Sequence, residues 1–137
     1  MVILSYGLGV DSTAILLRWL LDPSSRDFDL RDLVVITSQT GIEWPESARL
    51  VERFVYPLLR RYGVRTVQVA RAGASESDGI VVLDDTRQPR VCHIGGVYRL
   101  SDEMLAVGTV PQVAGVRKCS VDCTKSDLIK DGLSIRD

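Results

Sequence analysis

Hydrophobic and polar positions switch between two periods along this chain, and the switches predict a β/α succession. A short apolar run, Val2 to Ser5, reads as a first strand. Behind it Ala14, Leu17 and Leu21, with Leu16 and Leu20, recur at helical spacing and predict a helix from Ser12 to Leu21, ended by Asp22-Pro23. The polar stretch Ser24 to Asp29 leads to a second strand, Leu33 to Thr37. Pro45 opens a long helix whose apolar side carries Leu50, Phe54 and Leu58 beside Val51, Val55, Leu59 and Tyr62. Pro57 falls inside that period, which predicts either a kink or a break into two short helices. Gly63 is the expected cap, and Thr66 to Ala70 the third strand.

From Ala72 the pattern loosens. Ala72 to Gly79 is small and polar. Ile80 to Leu83 and Val91 to Ile94 are expected to form a hairpin around Asp84-Asp85 to Arg90. Ser101 is expected to cap a short helix through Ala106, and Thr124 or Ser126 to start a last one through Gly132. Strands alternating with helices imply an α/β domain with a single compact open parallel sheet and flanking helices. Ligands of such sheets sit at the carboxyl ends of the strands, which gathers the loops after Ser5, Ser38 and Ala70 on one edge.

Composition narrows the class. The 137 residues suit one domain with one core, and 45% hydrophobic with 26% charged residues is the balance of a soluble globular protein. A formal charge of −1 gives no basic field for nucleic acid, since arginines 60, 61, 65, 71, 87 and 90 are interspersed with acids. No apolar run approaches a membrane span, and Met1-Val2-Ile3-Leu4 lacks a basic leader region, so the expected location is the cytoplasm.

The candidate chemistry lies first in Ser5-Tyr6-Gly7-Leu8-Gly9-Val10-Asp11-Ser12-Thr13. A strand that feeds a helix through two glycines, which add no Cβ and can take positive φ, lets the unpaired N–H groups of the first helical turn close on an anion, where the peptide dipoles leave partial positive charge. Ser12 and Thr13 add hydroxyl donors. Asp11 repels a phosphate, so its role in a binding loop is to hold Mg²⁺ between oxygens. The alternative is a tight βα turn with Asp11 as the N-cap. The loop is neither G-x-x-x-x-G-K-[ST] nor G-x-G-x-x-G, because Ser12 stands where the third glycine would be.

The loop resembles the PP-loop, S-G-G-x-D-S, of the ATP pyrophosphatase (adenine nucleotide α-hydrolase-like) superfamily. Gly9, Asp11 and Ser12 match, while Leu8 replaces the first glycine and Gly7 the leading serine. The longer form beginning at Ser5 is similar to the phosphoadenosine phosphosulfate (PAPS) reductase-like branch. Gln39-Thr40-Gly41-Ile42-Glu43-Trp44-Pro45-Glu46-Ser47, after the second strand, resembles that branch's D-T-G-x-x-x-P-E-T segment with Gln39 in place of Asp. Arg117-Lys118-Cys119-Ser120 with Lys125 resembles its R-x-C-[ST] segment and downstream lysine, displaced by one residue. Residues 73–114 match nothing in the family's pattern.

The resemblance implies a PP-loop, Rossmann-like domain that binds ATP with Mg²⁺ on Asp11 and cleaves it between the α and β phosphates, adenylating an acceptor and releasing pyrophosphate. Asp11, Ser12, Lys118 and Cys119 would take part in the chemistry. Ser5, Tyr6, Gly7, Gly9, Ser12, Thr13, Thr37, Ser38, Thr40, Gly41, Arg117 and Lys125 would hold the nucleotide, and sulfur transfer is a natural extension. Two other readings stand beside it. One is a sulfonucleotide reductase relative, against which the E-C-G-x-H motif is missing, as the sequence closes Leu133-Ser134-Ile135-Arg136-Asp137. The other is a nucleotide-binding subunit without turnover, acting as a homodimer or with a partner.

Several residues keep two readings. Arg117, Lys118 and Lys125 meet phosphate oxygens or form a solvated basic turn. Trp44 walls a nucleotide or staples the second helix, and Tyr6 lines the site or fills the core. Cys92-His93 with Cys119 and Cys123 suggests zinc or an iron–sulfur cluster, but the x3 spacing is loose and only one histidine is present, so neither metal is expected. The basic pair before Cys119 favours thiolate character.

Overall fold

The computed structural model describes residues 1–108. The expectations placed on Arg117, Lys118, Cys119, Cys123, Lys125 and a last helix therefore lie outside the described residues. The chain builds an α/β layer on a four-stranded sheet in the order β1-β2-β3-β4, formed by Val2–Ser5, Leu33–Gln39, Arg65–Arg71 and Ile80–Thr86. Val2 pairs with Leu33 and Leu4 with Val35, and both β1·β2 and β2·β3 are parallel.

Side chains alternate across the sheet, and the two faces bury different sets. Leu4, Leu33 and Val35 face the helix layer, where they meet Leu16 and Leu20 of α1 (Val10–Leu21) and Val51, Val55 and Leu59 of the second helical stretch. Val34, Ile36, Val67 and Val69 form a separate buried cluster on the opposite face, with Ile3 and Ile80 against it. By the same alternation Thr37 and Gln39 of β2, and Thr66, Gln68 and Ala70 of β3, belong to the helix face. All five are buried.

Pro57 does not break the second helix. α2 (Pro45–Leu50) passes through one π turn, Val51–Val55, into α3 (Tyr56–Tyr62), and the Tyr56 N–H bonds the Val51 carbonyl five residues back. Proline has no N–H to give and its ring crowds the carbonyl a turn earlier, so widening the preceding turn keeps both flanking segments helical. Gly63 ends α3 in the left-handed conformation at φ 62°.

Three expectations are corrected beyond β3. The sheet is mixed rather than parallel, because β4 runs antiparallel to β3, with a bulge between Gln68 and Val69. Residues 72–79 are too few for the dozen or more that a parallel crossover takes. The Ala72 N–H donates to the Gly79 carbonyl at 3.0 Å, and the chain returns as a hairpin. Ile80–Leu83 thus pairs with β3 and not with Val91–Ile94, which is not a strand. Those residues instead begin a strap, 91–99, held by side chains: the Gln68 amide donates to the Val91 carbonyl and accepts from the His93 N–H, each at 2.8 Å. The last described helix, α4, spans Leu100–Val107, and its N-cap is Arg99 rather than Ser101.

Candidate functional site

At the carboxyl edge of β1 the chain stays paired for one residue past the strand, through the Tyr6 N–H to the Ile36 carbonyl at 2.8 Å. This sets the loop Gly7-Leu8-Gly9 beside the end of β2. The left-handed residue of the loop is Leu8, at φ 58°, and neither glycine has positive φ. That corrects the expectation that Gly7 and Gly9 supply the unusual backbone. A leucine held there costs about 1–2 kcal/mol, partly offset because its side chain packs on the helix-face core. Neither glycine is demanded by packing: both face open space, where a Cβ would meet nothing within 4 Å.

Gly9 is the N-cap of α1, and no side chain caps the helix. The reading of Asp11 as N-cap is therefore overturned. Asp11 sits exposed in the first turn, and the first helical bond is Thr13 N–H to Gly9 carbonyl at 3.0 Å. The N–H groups before it have no partner within the helix. The neighbouring hydroxyls turn back on the loop. Ser12 Oγ donates to the Gly9 carbonyl at 3.2 Å and Thr13 Oγ1 to the same oxygen at 2.7 Å. Thr13 Oγ1 also lies 3.1 Å from the Tyr6 hydroxyl. Tyr6 is a core aromatic, 1% exposed, and burial raises its phenol pKa above the usual tyrosine value.

The end of β2 forms the other side of the edge. Ser5 closes β1 exposed, Thr37 is buried on the helix face, and Ser38 is half-buried on the opposite one. Thr40 donates from Oγ1 to Glu43 Oε1 at 3.1 Å and takes the Leu100 N–H on its carbonyl at 2.9 Å. Gly41 has φ 81°, and a Cβ there would stand 2.7 Å from Arg99 Cγ, so the glycine admits the arginine stem. Trp44 is 78% exposed at the N-cap of α2, which overturns the staple reading.

The structure thus brings Ser5, Tyr6, Gly7, Gly9, Asp11, Ser12 and Thr13 to one strand end, with Thr37, Ser38, Thr40 and Gly41 at the next. Two residues that the sequence did not single out belong with them. Arg99 is exposed over Gly41 and brings a cation to this edge. Gln39 is 3% exposed, and neither its Oε1 nor its Nε2 has a hydrogen-bond partner. Its place in the D-T-G-like segment was the available signal.

Further along the helix face lies Cys92, 5% exposed. Its backbone N–H donates to Glu52 Oε1 at 2.8 Å, and burial raises its thiol pKa, with Glu52 and Glu43 adding to the effect. Beside it the Tyr56 hydroxyl has the thiol as its polar neighbour but makes no well-formed hydrogen bond, and burial drives its pKa far up. Among the described residues no three His, Cys, Asp or Glu side chains gather as a metal site, and no helix is long and apolar enough to cross a membrane. An apolar groove of about 650 Å³ runs between α1 and the second helical stretch, lined by Leu17, Leu21, Leu50, Phe54 and Leu58 and reaching Gly9 and Thr13.

No protein-family model, no curated protein and no solved structure matches the chain.

Proposed function

We propose that the loop Gly7–Thr13 and the end of β2 bind the phosphates and adenosine of ATP, and that the domain directs cleavage between the α and β phosphates to adenylate an acceptor. The observation that carries this reading is the β1–α1 junction. A parallel strand delivers its carboxyl end to a helix whose first N–H groups carry no side-chain cap, beside two glycines that leave open space. The helix dipole favours an exposed carboxylate at Asp11 whatever the loop does, but beside a bound phosphate that charge would repel, so Asp11 would there be a ligand for Mg²⁺. With no P-loop lysine in the motif, stabilisation of a leaving pyrophosphate falls to N–H groups, Mg²⁺ and basic side chains such as Arg99. In-line placement of an acceptor oxygen supplies the rest, and no covalent enzyme group is required.

A second reading, nucleotide binding without turnover by half of a shared site, is favoured by the strand order. Among the described strands β1 stands at the edge and the order never reverses. The crevice that an order reversal creates in doubly wound sheets is therefore not formed by these strands alone. The test is to incubate the protein with labelled ATP and Mg²⁺ and separate the products. AMP and pyrophosphate without ADP are expected. ADP with orthophosphate would sink the mechanism, and binding with no product would select the half-site.

A further inference from the structure

The helix face of the sheet carries two buried carboxamides on neighbouring strands, and the chain treats them oppositely. Gln68, 0% exposed, has its donor and its acceptor both engaged, on the Val91 carbonyl and the His93 N–H. Gln39, 3% exposed near the carboxyl end of β2, has neither engaged. Burying an amide without partners is costly, so a ligand that brings its own donor and acceptor is the natural counterpart. Gln68 shows what such an amide grips: an acceptor and a donor held side by side. At the positions flanking Gln39 the backbone of the strap comes close to the sheet. Its register partner is Ala70, against which Gly96 packs so closely that a Cβ on Gly96 would collide with the Ala70 methyl. Gly95 approaches Gly41, two residues beyond Gln39. The strap thus crosses these flanking positions on two glycines, with Arg99 and the Leu100 N–H anchoring its far end to Gly41 and Thr40.

We propose that Gln39 reads a nucleobase: with the Gly95–Gly96 strap displaced, its N–H₂ and C=O pair with the acceptor and donor on the amidine edge of adenine. This rests on the adenine-nucleotide reading above, and it adds the group that selects the base. A carboxamide complements adenine through one donor and one acceptor, whereas a carboxylate offers two acceptors and complements the two N–H donors of guanine.

The test measures binding of adenosine, ATP, guanosine and GTP to the full chain by calorimetry, alongside thermal unfolding. Gln39→Leu is expected to melt at or above the wild-type temperature, because two orphaned atoms are removed, and to bind adenosine and ATP about tenfold to a hundredfold more weakly. Gln39→Glu is expected to lose adenosine and gain guanosine. Should the buried carboxylate prevent folding, Gln39→Met repeats the Gln39→Leu comparison. Wild-type affinity for adenosine in Gln39→Leu or Gln39→Met overturns the proposal. Adenosine binding that depends on Gln39 while ATP gains nothing from its phosphates keeps this inference and removes the phosphate-loop reading. A wild-type protein that binds neither adenosine nor ATP overturns both.

Discussion

Single residues carry the clearest pH signature. Burial raises the pKa of Cys92, Tyr6 and Tyr56 in the folded chain, so each holds its proton more tightly folded than unfolded. Stability tied to those protons is fully present below the unfolded values, about 8.5 for the thiol and 10 for the phenols, and is lost as pH rises above them. Alkaline unfolding should therefore begin near the thiol's ordinary range and steepen in the phenol range, as denaturant midpoints measured against pH would show. Cys92→Ala should flatten the first part. Tyr56→Phe should flatten the second without loss at neutral pH, because its hydroxyl has no well-formed bond to lose. At the loop, Asp11→Asn and Ser12→Ala should weaken Mg·ATP binding with melting temperature unchanged, since Asp11 is exposed and Ser12 makes only a bond within its own turn. Unchanged affinity in both variants would reduce the loop to a turn.

Elements were legible where one residue type dictates one local geometry. Val2–Ser5 is a strand as read, Gly63 caps α3, and Asp22-Pro23 ends α1 because proline and glycine act locally. Pro57 was legible as an interruption, but its resolution into a π turn was not, since that depends on both flanking segments keeping their apolar sides on the sheet. The pairing of β4 was not legible for a related reason: an apolar run does not name its neighbour, and Val91–Ile94 is simply the next such run along the chain. Asp11 and Leu8 run against residue preference: Asp favours a cap and Gly a left-handed turn, yet the strand-to-helix path puts Gly9 at the cap and Leu8 at φ 58°. The strap offers a test at this scale. Gln68→Leu would leave the Val91 carbonyl and the His93 N–H without their side-chain partner, at about 1–3 kcal/mol each. The variant should melt lower, and the His93 amide should exchange faster in deuterium.

For the whole molecule, the buried ion pair of Arg71 and Glu103, 2.9 Å between Nη1 and Oε2, ties the end of β3 to α4. The Tyr98 ring lies under the guanidinium at 5.2 Å, and the Ala74 carbonyl takes another of its donors. Removing one partner strands a charge in the interior, so Glu103→Ala should cost about 3–5 kcal/mol in chemical denaturation. Arg71→Met with Glu103→Leu should recover much of that loss, because no charge is then left buried. A double variant as unstable as the single one would mean that the pair's other contacts, rather than its charges, hold α4.

The strand order β1-β2-β3-β4 carries a consequence for how the chain is made. Each strand pairs with the one synthesised just before it, so no early segment waits for a distant partner, and loop-closure entropy stays low at each step. As the chain emerges from the ribosome, β1, α1 and β2 can assemble before β3 has been translated, and the β3–β4 hairpin then closes on an edge that already exists. The strap and Glu103 come after all four described strands in the chain, so the surroundings of Gln39, at the carboxyl ends of β2 and β3, are completed only when the rest of this sheet is in place.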